Sequence, residues 1–270
     1  MEYLVFRLYG PLASWGEIAV GESRHSAAYP SKSALLGLLA AALGIRRADE
    51  ERQAALAAGY QFAVKVMSDG QLLRDYHTTQ VPDSVGQFIY RTRHDELVAG
   101  KTRLGTVLSS REYRCDALSL VAVKSLKKAP FSLAGIQAAL LRPKFYLYLG
   151  RKSCPPAAPL NPCMVNAKGF GQALDEYRYG ALYLSDFVMR SARQEKRDED
   201  LLESPFIPRS SREDRYALAL ERKSVRYYWE GDAGDLEPQQ ILIRHDQPLS
   251  RTRWQFSQRA ENLFIRGEGG

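Results

Sequence analysis

Hydrophobic and polar positions change period several times in the first 150 residues. Residues 2–9 alternate like a strand, with Leu4, Phe6 and Leu8 on the inner face and Gly10-Pro11 as its stop. Helical spacing follows over 33–44, where Leu35, Leu38, Leu39 and Ala42 recur and Gly44 suits a C-terminal cap. A second helix is predicted over 48–58, opened by Asp49, Glu50 and Glu51, which complement the positive end of its dipole. Strands are predicted at 61–67, closed by Ser68-Asp69-Gly70 turn chemistry, and at about 114–124. Pro130 precedes a helix over 131–141, and Pro143 stops it.

Residues 145–149 again alternate, placing Phe145, Leu147 and Leu149 on one face and Tyr146 and Tyr148 on the other. This predicted strand runs into Gly150, Arg151 and Lys152. Strand, helix, strand, strand, helix, strand is the split β-α-β order of a ferredoxin-like, RRM-like α+β fold. It predicts one antiparallel sheet with helices on one face and the other face free to bind a ligand.

The less regular residues 71–110 lie between the second and third strands, where a short turn would suffice, and read as a projecting arm. Residues 155–180 are rich in Pro and Gly and read as a loop over the sheet. Residues 181–189 read as a further strand, 193–203 as a solvated charged helix or loop, and 216–229 and 251–265 as basic, aromatic strands. The division implied is a first unit over 1–165, with the arm at about 78–110, and a strand-rich C-terminal extension over 166–270.

Composition narrows the class. The 270 residues are 45% hydrophobic, enough for a core, and no apolar run approaches a membrane span. No basic region, apolar core and cleavage site open the chain, so no secretory signal is expected. A net charge of +7 and a pI near 9.3 favour an anionic partner, nucleic acid above all. Cys115, Cys154 and Cys163 have neither disulfide-framework nor zinc spacing and imply a reducing, cytoplasmic setting. No metal, dinucleotide or nucleophile-elbow motif is present, so neither cofactor nor metal is expected.

Candidate chemistry falls in four places. Pro30-Ser31-Lys32-Ser33 precedes a helix; Ser31 and Lys32 could seat a phosphate, or a serine could simply cap the helix. Asp75-Tyr76-His77-Thr78 could serve acid–base RNA cleavage through Tyr76 and His77, or His77 could be a structural histidine at the arm's root. In Arg111-Glu112-Tyr113-Arg114, alternation puts Arg111 and Tyr113 on one side, for RNA contact or as an exposed Arg–Glu edge. Tyr148 with Arg151 and Lys152 suits base stacking beside phosphate neutralisation. His25, His94 and His245 are isolated.

Several runs, in order, resemble the CasD subunits of type I-E CRISPR Cascade complexes, members of the RAMP superfamily. They are Leu8-Tyr9-Gly10-Pro11 with Trp15-Gly16; Ser33 to Leu39 with Leu43-Gly44-Ile45; Gln61-Phe62-Ala63-Val64; Asp75-Tyr76-His77-Thr78; Arg111-Glu112-Tyr113 with Cys115-Asp116-Ala117; Tyr148 to Pro155; and Gln255-Phe256-Ser257. The match thins between about 166 and 250.

The resemblance implies a ferredoxin-like RAMP domain whose arm is a thumb. It implies a non-catalytic RNA-binding subunit that caps the 5′ handle of the crRNA and docks on the CasC backbone and the large CasA subunit. Target DNA near the guide 5′ end is a further partner it allows. RNA contact is then expected from Ser31, Lys32, Tyr76, His77, Arg111, Tyr148, Arg151 and Lys152. The alternative is a metal-independent endoribonuclease of the type I-C kind, using Tyr76 and His77.

Overall fold

A computed structural model describes residues 1–17, 19, 21–83, 89–98, 101–177 and 225–267. The strand and charged run expected at 181–189 and 193–203, and the first part of 216–229, lie outside the described residues.

The elements in chain order are β1 (Glu2–Ala13), β2 (Trp15–Gly16), β3 (Ser23–Arg24), β4 (Ser26–Ala27), α1 (Lys32–Leu43), α2 (Glu50–Gly59), β5 (Tyr60–Ser68) and β6 (Gln71–Pro82). Then come α3 (Arg93–Val98), a short 3₁₀ turn (Lys101–Arg103), β7 (Leu104–Ser125), α4 (Leu133–Leu141), β8 (Cys163–Asn166) and α5 (Phe170–Glu176). β9 (Val225–Trp229), β10 (Gln240–Ser250) and β11 (Gln255–Arg266) complete the described chain.

This is a mixed α+β fold on one largely antiparallel sheet. Its path is β10-β11-β9-β5-β7-β1-β8, with β3 and β6 also pairing β7. Local capping sets the helices. Ser31 Oγ accepts from the Ala34 N–H at the start of α1, and Gly44 closes it at φ +75°. Asp49 caps α2 and Ser132 caps α4 in the same way.

Four expectations are corrected. First, β1 continues past Gly10-Pro11 to Ala13, because Leu12 and Ala13 still pair with Cys115 and Arg114 of β7. Second, residues 145–149 are not a strand. The Lys144 and Phe145 N–H groups donate to Ala42 O (3.0 Å) and Ala41 O (3.1 Å), satisfying the C-terminal carbonyls of α1 instead of a ladder. Third, the strand beside β1 comes from the supposed loop: β8 pairs Val5 with Cys163 and Glu2 with Asn166.

Fourth, the second sheet face is not free. Tyr3, Val5, Tyr9, Leu118, Leu120 and Trp229 are buried on it beneath Phe170, Ala173 and Leu174 of α5. The opposite face packs Leu4, Phe6, Leu8, Val121 and Val123 against α1, α2 and α4. β1 is therefore buried on both parities, Arg7 included, the pattern of a strand covered on both sides.

The C-terminal strands extend the sheet from β5. Val64 pairs with Tyr228, and Phe264 with Tyr227. The β10–β11 hairpin is tied to the start of α1 by buried charges. The Lys32 N–H donates to Asp246 Oδ2 (2.7 Å), and its ammonium donates to Glu230 Oε2 (2.7 Å). Arg259 grips both Asp246 oxygens (2.6 and 2.9 Å) and reaches Glu261, to which the Tyr29 hydroxyl donates (2.6 Å).

Removing Asp246 leaves Arg259 with Glu261 alone and strands an N-terminal amide of α1 inside the protein. Asp246→Ala should cost about 3–5 kcal/mol. In a thermal melt the midpoint should drop by roughly 10 °C. Asp246→Asn, which keeps an acceptor, should fall between. A wild-type melting profile for Asp246→Ala would show that this contact does not hold the hairpin.

Candidate nucleic-acid interface

Strands β6 and β7 form the arm. They pair from Gln71–Cys115 out to Pro82–Leu104, twelve residues beyond the core. Glu112 pins its base. The carboxylate accepts from Arg74 Nη2 (3.0 Å) and the Ser26 N–H (3.3 Å) and lies 3.2 Å from His25 Nδ1. The Ser14 hydroxyl donates to the Glu112 carbonyl (2.9 Å), adding the end of β1. Burial would raise the Glu112 carboxyl, but Arg74, the Ser26 amide and His25 outweigh it and hold it below the ordinary glutamate range.

Arg151 reaches the same base from a tight turn. The Ser14 N–H donates to Leu149 O (3.0 Å), Leu149 N–H to Cys154 O (2.7 Å) and Cys154 N–H to Arg151 O (2.9 Å). Gly150 makes this docking possible. Its φ is +88°, and a Cβ there would lie 1.8 Å from Ser14 O. The Arg151 guanidinium sits 4.9 Å above the Tyr113 ring.

Alternation on β7 puts Tyr113 on the same face as Arg111, and Arg111 stands opposite Arg24 of β3 and Asp75 of β6. His77 shares that face, with Nδ1 3.0 Å from Asp75 Oδ2. Arg24, Arg111 and Arg151 thus gather at the arm base. Among the described residues the buried Arg151 Nη1 on this face has no hydrogen-bond acceptor; Arg114 Nε lacks one too, but Arg114 lies with Glu112 on the other face of β7. An orphaned cationic donor such as Arg151 Nη1 suits a phosphate oxygen.

The eight expected RNA contacts therefore divide. Arg111, His77 and Arg151 come together, and Lys152 is exposed on the adjoining turn. Tyr76 is 62% exposed but, as the strand neighbour of His77, it projects to the opposite face. Tyr148 lies in a separate groove between α1, the 145–150 segment and the β10–β11 turn. The expected parity holds only in part: Leu149 is buried and Tyr146 and Tyr148 are exposed, but Phe145, expected on Leu149's face, is exposed as well.

Ser31 and Lys32 are corrections. Ser31 Oγ is the helix cap, and Lys32 is buried in its pair with Glu230. The Asp246 carboxylate already occupies the helix start that could have seated a phosphate. Sequence reasoning gave no role to Arg24, which the fold sets beside Arg111, or to Arg47, Arg251 and Trp254, which line the groove with Tyr148.

Among the described residues, no cluster of three His, Cys, Asp or Glu could hold a metal, and all three cysteines are free. No helix among them is long and apolar enough to cross a membrane.

A profile of the family described as CRISPR-associated protein (Cas_Cas5) matches residues 3–260. The chain belongs to this Cas5 family of CRISPR-associated proteins, and its resemblance to CasD is borne out. The CRISPR system Cascade subunit CasD of Escherichia coli (strain K12) is 36% identical over 166 residues, 58% of this chain and 69% of that protein. Two solved structures share the fold. One, titled CRISPR RNA-guided surveillance complex, matches with a TM-score of 0.60 at 24% identity over 97% of this chain and 89% of its own. The other, titled Crystal structure of Cas protein, gives 0.51 at 23% identity over 98% and 93%.

Because the folded Glu112 pKa is depressed, its contribution is present above the ordinary carboxyl range and is lost as pH falls through the folded value. Glu112→Gln should therefore melt below wild type at pH 7. The gap should close as the solution is acidified past that value. A gap that stays constant across a pH series of melts would show that the charge at Glu112 is not what pins the arm.

Proposed function

We propose that this chain is a non-catalytic, RNA-binding subunit of a type I-E CRISPR surveillance complex. It caps the 5′ handle of the crRNA and contacts the CasC backbone and the large CasA subunit. The observation that carries the reading is the arm base, where Arg24, Arg111 and Arg151 converge on one face and Arg151 Nη1 has no acceptor among the described residues. Family membership and the CasD relative support it.

The strand order β5-β7-β1-β8, with α1 and α4 in the two crossovers, fits a ferredoxin-like RAMP domain over residues 1–165. The β6–β7 arm, about 78–110, is then the thumb, and 166–270 is the C-terminal extension. Such a subunit works in the cytoplasm, where the crRNA is made and used. Handle phosphates lie along Arg111, Arg151 and Lys152, with His77 beside them. Tyr148 lies in the groove, and target DNA near the guide 5′ end passes close to the thumb.

The endoribonuclease alternative requires Tyr76 and His77 to address one phosphodiester. Adjacent positions on β6 face opposite ways, which disfavours it. Incubation of the purified chain with repeat RNA in EDTA should leave the RNA intact. Site-specific cleavage abolished by His77→Ala would reverse the assignment.

Arg151→Ala/Lys152→Ala should weaken binding of the 5′ handle RNA. The log–log salt slope should fall by about 1.4, at about 0.7 for each single-strand phosphate contact. An unchanged affinity together with an unchanged slope would remove the arm base from the RNA path.

A further inference from the structure

The groove beside α1 carries chemistry that the arm base does not use. Its volume is about 1560 Å³, and it is walled by α1, the 145–150 segment and the β10–β11 turn. Small-molecule sites are usually about 300–1,000 Å³, so this groove has room for a chain-like ligand. Four arginines line it, Arg46, Arg47, Arg244 and Arg251, against two carboxylates, Glu17 and Asp246.

Both carboxylates are already committed. Glu17 pairs with Arg244 at 3.2 Å, and Asp246 with Arg259 at 2.6 Å. Arg251 donates to the Ser33 carbonyl, and Arg47 rests 3.8 Å over the Trp254 ring. Neither has a carboxylate partner among the described residues. Burial pushes the Arg251 guanidinium below its ordinary value, the nearby Arg47 charge lowers it further, and Tyr148 opposes them. Two cations lining one groove without a carboxylate partner favour an anion between them.

Trp254 is the second observation. It occupies the hairpin turn at φ +52°, a region that bulky side chains rarely adopt. It is 59% exposed, whereas Trp15 and Trp229 are buried. Core burial therefore does not account for a strained tryptophan here. Tyr148, Arg251, Arg47 and Trp254 all line this groove, and Arg47 lies against Trp254. Below them α1 presents Gly37, whose absent Cβ would lie 3.7 Å from the Arg251 guanidinium.

We infer that this set binds one step of a single-stranded RNA. A backbone phosphate sits between Arg47 and Arg251, and the flanking bases stack on Tyr148 and Trp254. Guanidinium groups match phosphate oxygens in geometry, and aromatic stacking accepts any base, so recognition here is sequence-tolerant. The inference rests on the RNA-binding reading above. It adds a second contact, separate from the arm base and completed by Arg251 and Trp254 of the C-terminal extension.

Trp254 is the exposed tryptophan of three, so its fluorescence reports the groove directly. The full chain is titrated with an oligouridine and with the 5′ handle RNA. Saturable quenching is expected for wild type and should be absent in Trp254→Leu. Arg47→Gln should weaken binding about tenfold and lower the salt slope by about 0.7. Arg47 and Trp254 are exposed, and melting curves check that both variants fold.

No quenching, or wild-type affinity in both variants, would overturn the inference. If only Arg151→Ala/Lys152→Ala weakens binding, the groove site falls and the arm-base reading stands. If only the groove variants weaken it, the groove stands and the arm base falls. Groove variants that bind RNA normally but fail to co-assemble with other Cascade subunits would make the groove a protein-docking face and overturn its RNA role.

Discussion

The buried charge neutralised at the start of α1 ties the C-terminal hairpin to the helical layer. Lys32, Asp246, Arg259, Glu261 and Glu230 lie together, with Tyr29 closing the group. Charges removed from water cost several kcal/mol each unless they are paired and hydrogen-bonded. Here each carboxylate meets a cation or an amide, so the group tolerates only one arrangement of hairpin against helix. That arrangement sets the width of the groove and the height of the β10–β11 turn above α1. The helix start that looked like a ligand seat is thus spent on joining the two halves of the chain.

The sheet obeys a second constraint. β1 is covered on both faces, by α1 and α4 on one side and by α5 on the other. A sheet enclosed in this way cannot offer its flat surface to bases, as an open RNA-recognition sheet does. On the proposed reading, ligand contact moves to the sheet's periphery, to the arm base, the Gly150 turn and the groove. All three are held by backbone hydrogen bonds to the core, such as the Ser14–Leu149 bond.

Legibility in the sequence followed the range of the interaction. Helices α1, α2 and α4 were readable to within about two residues because Ser31, Gly44, Asp49 and Pro130 act locally. The parity of Leu149 against Tyr146 and Tyr148 was readable too, but parity does not say where the backbone N–H groups go. Those of Lys144 and Phe145 went to α1. Lys32 could not be read, since its partners stand 198 and 214 positions away. The cover on the second face was visible in principle: Tyr3, Val5 and Tyr9 are apolar where an exposed face would be polar. Arg47, Arg251 and Trp254 come from segments that only the folded hairpin unites.

The arm's construction has a mechanical side. β7 runs unbroken for 22 residues from the sheet into the arm, so the same strand is both foundation and lever. The paired part of the arm is about 40 Å long at about 3.4 Å per residue, and a rotation of about 10° at its root would carry the tip about 7 Å. The root is the place where Gly70, at φ +65°, lies against the Cys115 carbonyl and Asp116 takes φ +56°. Stiffness at these few torsions fixes how accurately the far end is aimed. A change of one side chain at the root is therefore amplified into a change of position several residues' breadth away.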